Sequence, residues 1–190
     1  MEKEEKKWKK IRCFVAVEIP SQIKKKIEPL LQESRMQGVK PVALENIHVT
    51  LKFLGYVSHD TLSKMQEALS RVSLPAFSFS VRGIGCFPTE KRPRVVWVGC
   101  ESAELQQLGD EVNTLLALLF PQEAFTAHLT LARVKDMKNV ETREKIQQFI
   151  AKHKNDLFGT MQCKHFLLKE SKLRKSGSVY STIKAFSLRA

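Results

Sequence analysis

His48 and Thr50 sit two residues apart in "NIHVTLKFLG" (46 to 55), inside a run of valine, leucine and phenylalanine. Alternate residues of a strand project from one face, so this imidazole and this hydroxyl would point together. The arrangement returns 128 − 48 = 80 residues later, where "AHLTLARVK" carries His128 and Thr130. With five histidines and nine threonines in the chain, two accidental H-x-T matches have a chance of roughly 2%. One such pair alone would ordinarily be a core histidine bonded to its threonine neighbour. Two pairs in corresponding places point instead to a shared site.

Two imidazoles on opposite walls of a cleft suit in-line displacement at phosphorus. The neutral one takes a proton from the attacking oxygen, and the protonated one gives a proton to the leaving oxygen. Histidine fits because both of its forms are accessible near neutrality. The threonine hydroxyls can donate to the non-bridging phosphate oxygens. Arg133, five residues after His128, has the strand parity of neither histidine. It reads either as a surface cation at a strand end or, where the strand ends or twists, as a planar fork reaching the phosphate.

Other chemistries find little support. Cys13, Cys86, Cys100 and Cys163 are far apart, so zinc-ribbon spacing is absent, and free thiols in a reducing cytosol are expected. Each H-x-T strand offers one imidazole and no carboxylate of matching parity, which leaves a metal site without ligands. No metal and no cofactor are expected: Walker-type and dinucleotide glycine patterns are missing, and so is a serine elbow. The remaining histidines read as incidental: His59 lies in a cap region, His153 near a helix end, and His165 in a strand without a threonine partner. No stretch approaches eighteen apolar residues, and the start "MEKEEKKWKK" has no apolar core, so neither a membrane partner nor a secretory signal is expected. The cytoplasm is the expected location.

The order of elements explains how the two pairs would be positioned. "RCFVAVEI" (12 to 19) reads as a strand ending at Pro20. Ser21 then caps a helix carrying Ile23, Ile27, Leu30 and Leu31, which Pro29 should kink and Gly38 end. The first histidine strand, about 47 to 54, closes at Gly55, and Ser58 caps a second helix with Leu62, Met65 and Leu69. "FSFSVRGI" alternates as a third strand. The second half replays this order: a strand over 95 to 100, a long helix ended by Pro121, the second histidine strand at about 125 to 134, a helix through Ile150, and a strand at 160 to 168. A last strand, about 178 to 188, belongs to this half alone. The pattern is a duplicated β-α-β-α-β unit. The fold class is therefore α+β, two-lobed with pseudo-twofold symmetry, with mostly antiparallel sheets lining a central cleft and helices outside. Residues 1–11 form a charged extension. Residues 12–190 form a single domain with lobes near 12–86 and 95–190, joined by "FPTEKRPR" (87 to 94).

With 190 residues, 43% of them hydrophobic, the chain can build a core of its own. Its formal charge of +12 favours an anionic partner, nucleic acid above all.

"HVTLKFLG" and "HLTLARVK" resemble the two signature motifs of the two-histidine phosphoesterase superfamily, and within it those of the RNA 2′,3′-cyclic phosphodiesterases, long called 2′–5′ RNA ligases. "RCFVAVEIP" is similar to that family's opening strand, "RPRVVWVG" to its central strand, and "LLKESKL…SVYSTIKAFSL" to its closing hairpin. The resemblance implies metal-independent hydrolysis of an RNA 2′,3′-cyclic phosphate end to a 2′-phosphate. It makes His48, Thr50, His128 and Thr130 the catalytic tetrad and Arg133 a phosphate contact. In this reading His128 activates water and His48 protonates the 3′ oxygen, although the repeat permits either order. Phe14 would stack on the terminal base, unless it is a core phenylalanine. The implied partner is RNA with a cyclic phosphate end, tRNA fragments among the candidates, bound by a monomer. Lys91, Arg92 and Arg94, with Lys169, Lys172, Arg174 and Lys175, could guide its backbone. The alternatives are the reverse reaction, joining such an end to a 5′-hydroxyl, and non-catalytic RNA binding.

Overall fold

The protein's structure, a computed structural model, describes residues 10–136, 139–175 and 177–190. The proposed extension lies outside these residues up to position 9, Trp8 included, whereas Ile11 already belongs to the first strand.

Strand β1 (Ile11–Glu18) leads into helix α1 (Ser21–Glu33). A short strand, β2 (Val39–Pro41), precedes the first histidine strand, β3 (His48–Val57), and helix α2 (His59–Leu69) follows. Strands β4 (Phe77–Phe87) and β5 (Val95–Glu101) flank the midpoint, and helix α3 (Ala103–Leu115) comes next. The second histidine strand is β6 (His128–Val134), followed by helix α4 (Val140–His153). The chain closes with β7 (Leu157–Cys163), β8 (His165–Arg174) and β9 (Gly177–Ser187). What reads in sequence as one strand at 160 to 168 is the end of β7 and the start of β8, broken at Lys164.

The antiparallel sheet runs β7-β4-β5-β6-β3-β1-β8-β9, with β2 added on β6. Reading outward from the centre, β6 answers β3, β5 answers β1, β4 answers β8 and β7 answers β9, which is the pseudo-twofold arrangement. The lobes nevertheless interlock. β4, the last strand of the first repeat, pairs with β5 and β7, while β8 pairs with β1. A lobe in space is therefore neither of the continuous stretches 12–86 and 95–190. Helices interlock in the same sense: α1 lies against β6 and β7, and α3 against β3 and β4. One continuous apolar core results, from Val15 and Ile27 to Leu108, Leu131 and Phe166. Each fully buried side chain of this kind contributes about 1.5–3 kcal/mol, so neither lobe retains its core alone.

Two local readings need correction. Pro20, not Ser21, stands before the first turn of α1, and no side chain caps it. The helix runs through Pro29, because Ile27, Leu30 and Leu31 around it are anchored in the core. It stops at Glu33, and Gly38, with φ of +72°, instead turns the chain into β2. Ser58 does cap α2, accepting from the Thr61 N–H.

Candidate active site

The two lobes meet where β3 and β6 pair, and the bonded pair there is Val49 with Leu129. Both side chains are fully buried. Continuing that antiparallel register places His48 opposite Thr130 and Thr50 opposite His128, all on the other face. Directly opposed Cβ atoms in a sheet lie about 5 Å apart and diagonal ones about 7–8 Å. The two imidazoles thus occupy one diagonal of a four-residue patch and the two hydroxyls the other. The cavities agree: His48, Thr50, Thr130 and Arg133 line one of about 560 Å³, and Thr50 and His128 line a smaller neighbour of about 120 Å³.

Each ring is pinned in the same way. His48 Nδ1 bonds the Asn46 carbonyl at 2.7 Å, and His128 Nδ1 bonds the Thr126 carbonyl at 2.7 Å. A carbonyl only accepts, so Nδ1 carries the proton in both neutral rings and Nε2 keeps its lone pair. Aromatic side chains fix the ring planes. Phe14 and Tyr180 pack on His48 with centroids 4.9 and 5.3 Å away. Phe87 meets His128 edge-on at 5.0 Å, with Trp97 at 6.4 Å. Gly85 makes room for that tryptophan, since a Cβ there would lie 2.4 Å from its ring.

Burial in this apolar setting disfavours the charged imidazoles. His48 is pushed down to about 4, chiefly by burial, with Lys169 and Lys24 adding repulsion against the opposing pull of the Asn46 carbonyl and Glu18. His128 is lowered as well, by burial and by the Arg133 guanidinium. Burial thus favours the neutral form of both rings in the free protein.

Arg133 reaches the cavity through a feature its sequence parity conceals. Thr130 pairs with Trp97 and Ala132 with Val96, so Leu131 is an extra, bulged residue. A bulge shifts the strand by one position, which returns Arg133 to the face of His128 and Thr130. The first histidine strand repeats the device. Thr50 pairs with Ala16 and Lys52 with Val15, leaving Leu51 bulged and Phe53 facing the cavity, 59% exposed. Sequence parity had hidden Phe53 on the opposite face.

Phe14 does line the cavity, yet it is only 3% exposed and lies among His48, Phe53 and Tyr180. Its ring supports His48 and leaves little face to a base. Lys169, grouped with the guiding cations, is instead buried and paired with Glu18, and Lys172 is held by Glu170 at 3.2 Å. Lys91, Arg92, Arg94, Arg174 and Lys175 are exposed. Among the described residues no cluster of three or more His, Cys, Asp or Glu side chains forms a metal site, and no helix is long and apolar enough to cross a membrane.

Lys52 escaped the sequence reading, although a lysine within an apolar strand is itself a signal. It is 4% exposed, and its ammonium donates to Asn113 Oδ1 at 2.6 Å and to the Pro121 carbonyl at 2.7 Å. The contact ties β3 to α3 and to the loop that delivers Thr126 and His128. Tyr180 comes from the closing hairpin, and nothing in the sequence connects it to the histidines.

The family described as LigT like Phosphoesterase matches the chain over residues 17–97 and 98–180, one stretch for each histidine strand. An RNA 2′,3′-cyclic phosphodiesterase of Archaeoglobus fulgidus is 40% identical over 180 residues, 93% of this chain and 99% of the relative. One of Methanocaldococcus jannaschii is 34% identical, covering 92% and 99%. The crystal structure of TT0787 of Thermus thermophilus superposes with a TM-score of 0.77 at 28% identity, over 95% of this chain and 99% of that one. The chain belongs to the LigT-like phosphoesterase family.

Proposed function

We propose that this protein hydrolyses the 2′,3′-cyclic phosphate at the end of an RNA chain, leaving a 2′-phosphate and a free 3′-hydroxyl. The observation that carries the reading is the matched pair of histidines, each with Nδ1 held by a carbonyl and Nε2 left for chemistry. Relatives named RNA 2′,3′-cyclic phosphodiesterase, alike over nearly the whole chain, support it.

His48, the ring harder to protonate, takes a proton from water as its oxygen attacks phosphorus. The P–O3′ bond breaks, and His128 Nε2 delivers its proton to the departing 3′ oxygen. The order suggested by family resemblance, with His128 as base and His48 as acid, is the other one that the paired arrangement permits. Thr50 and Thr130 donate to the non-bridging oxygens, and Arg133, which lines the same cavity, meets the remaining charge with its planar fork. Phe53 takes the stacking role suggested for Phe14, because its face is open. Both H-x-T pairs come from one chain, so a monomer suffices.

The test is incubation with an oligoribonucleotide ending in a 2′,3′-cyclic phosphate, with the product end mapped. A 2′-phosphate is expected. A 3′-phosphate would contradict the bond assigned to break, and joining to a 5′-hydroxyl in preference to hydrolysis would make the reverse reaction the dominant one.

A further inference from the structure

We propose that Arg12, braced by Ser171, binds the phosphodiester linking the terminal nucleotide to the rest of the RNA, so that the cleft recognises a chain end rather than a lone cyclic nucleotide. This rests on the proposed hydrolysis of cyclic phosphate ends. Arg12 lines the same cavity as His48, Thr130 and Arg133. It shares a face of β1 with Phe14, two residues on, a step of about 7 Å along a strand. Phe14 packs directly on His48, so Arg12 lies one step beyond the reacting phosphate, comparable to the spacing of successive phosphates in an extended strand.

The chemistry of the group fits an anion. One guanidinium N–H donates to Ser171 Oγ at 3.1 Å, and Ser171 is itself buried on β8. A guanidinium has five N–H donors, and Arg12 pairs with no carboxylate among the described residues. Glu170, next along β8, is engaged by Lys172. With Arg133 committed to the reacting phosphate, Arg12 is a second uncompensated cation in one cavity. The next anion along the substrate is the internucleotide phosphodiester.

The other exit from His48 is less suited. A cavity of about 270 Å³ on that side holds Lys24 and Lys169, but also Glu18 and Glu45. Lys169 is paired with Glu18, and Lys24 donates to the Glu45 carbonyl. Its charges are balanced, so a phosphate gains little there.

Three substrates with one terminal base separate the possibilities: the nucleoside 2′,3′-cyclic phosphate, the dinucleotide ending in it, and that dinucleotide with a neutral methylphosphonate link. The wild type should favour the dinucleotide about 10- to 100-fold in kcat/KM, mainly through KM, in keeping with hydrogen bonds to a charged group. The methylphosphonate should lose that advantage. Arg12→Ala should lose it as well while keeping the nucleoside rate, Arg12→Lys should restore part of it, and Lys24→Ala should leave it intact. Equal losses on nucleoside and dinucleotide would reduce Arg12 to a brace between β1 and β8. No loss in Arg12→Ala, or loss in Lys24→Ala instead, would also overturn the assignment. If the wild type turns over none of the three, the proposed hydrolysis fails. Equilibrium binding of dinucleotide 2′-phosphates with charged and neutral links then decides Arg12 separately: the wild type must prefer the charged link, and Arg12→Ala must not.

Discussion

Phe53 and Arg133 occupy equivalent places 133 − 53 = 80 residues apart, each turned into the cavity by the bulged leucine two positions before it, Leu51 and Leu131. The same backbone device presents a ring in one lobe and a cation in the other, which under the proposed function divides binding of a nucleotide between base and phosphate. Arg133→Ala should reduce kcat/KM about 10²–10³-fold, acting on kcat, because it meets charge that develops at phosphorus. Phe53→Ala should raise KM with kcat nearly unchanged, the mark of uniform binding. Steady-state kinetics on one cyclic-phosphate substrate checks both, and identical effects on kcat would contradict the division.

Much of this arrangement was legible in the sequence, for identifiable reasons. His48 and His128 stand out because a polar pair in an apolar strand is conspicuous and its recurrence at a fixed interval more so. Phe53 and Arg133 were obscured because a bulge leaves no mark in the residue pattern and reverses the parity of everything after it. The exchange of β4 and β8 between lobes is likewise silent, since pairing partners are set by tertiary packing and not by the residues of either strand alone. Phe14 stayed open between two readings because an aromatic near a cleft can support either a base or a neighbouring ring, and its burial favours the second.

The lowered histidine values predict an acid-shifted profile. In the free protein burial pushes His48 down to about 4 and lowers His128 as well. Both displacements move the singly protonated form to the acid side of neutrality. kcat/KM should follow a bell with its maximum on the acid side of neutrality, not around it, and the two limbs belong to the pair. The phosphate charge favours protonated imidazole, so the kcat profile should lie at higher pH. A kcat/KM maximum at pH 8 would contradict the burial argument.

Linkage gives the same displacement a second readout. Because the His48 value in the folded chain is lower than in the unfolded one, the unfolded state binds more protons between about pH 4 and 6.5. Stability should fall as the pH drops through that window, and His48→Ala should flatten the slope. Denaturant unfolding at several pH values measures this, and an unchanged slope in the variant would count against it.

Lys52 should matter to both fold and turnover. Lys52→Met leaves the Asn113 oxygen and the Pro121 carbonyl without their donor, and each buried orphan costs about 1–3 kcal/mol. A lower unfolding midpoint is expected, together with a reduced kcat from loosening the loop before His128. An unchanged midpoint would mean that the ammonium is dispensable to lobe contact.

The central claim is that His48 and His128 act as base and acid on one P–O3′ bond, and a bridging 3′-sulfur tests it most directly. Sulfur leaves without needing a proton, so the general acid becomes dispensable while the base does not. On the ordinary substrate each single alanine variant should lose on the order of 10²–10⁴-fold, and the double variant should be little worse. On the 3′-thio substrate His128→Ala should recover most of its rate, whereas His48→Ala should remain slow. Recovery by His48→Ala alone would exchange the two roles, and near-normal turnover of the ordinary substrate by either folded variant would contradict the paired-histidine account.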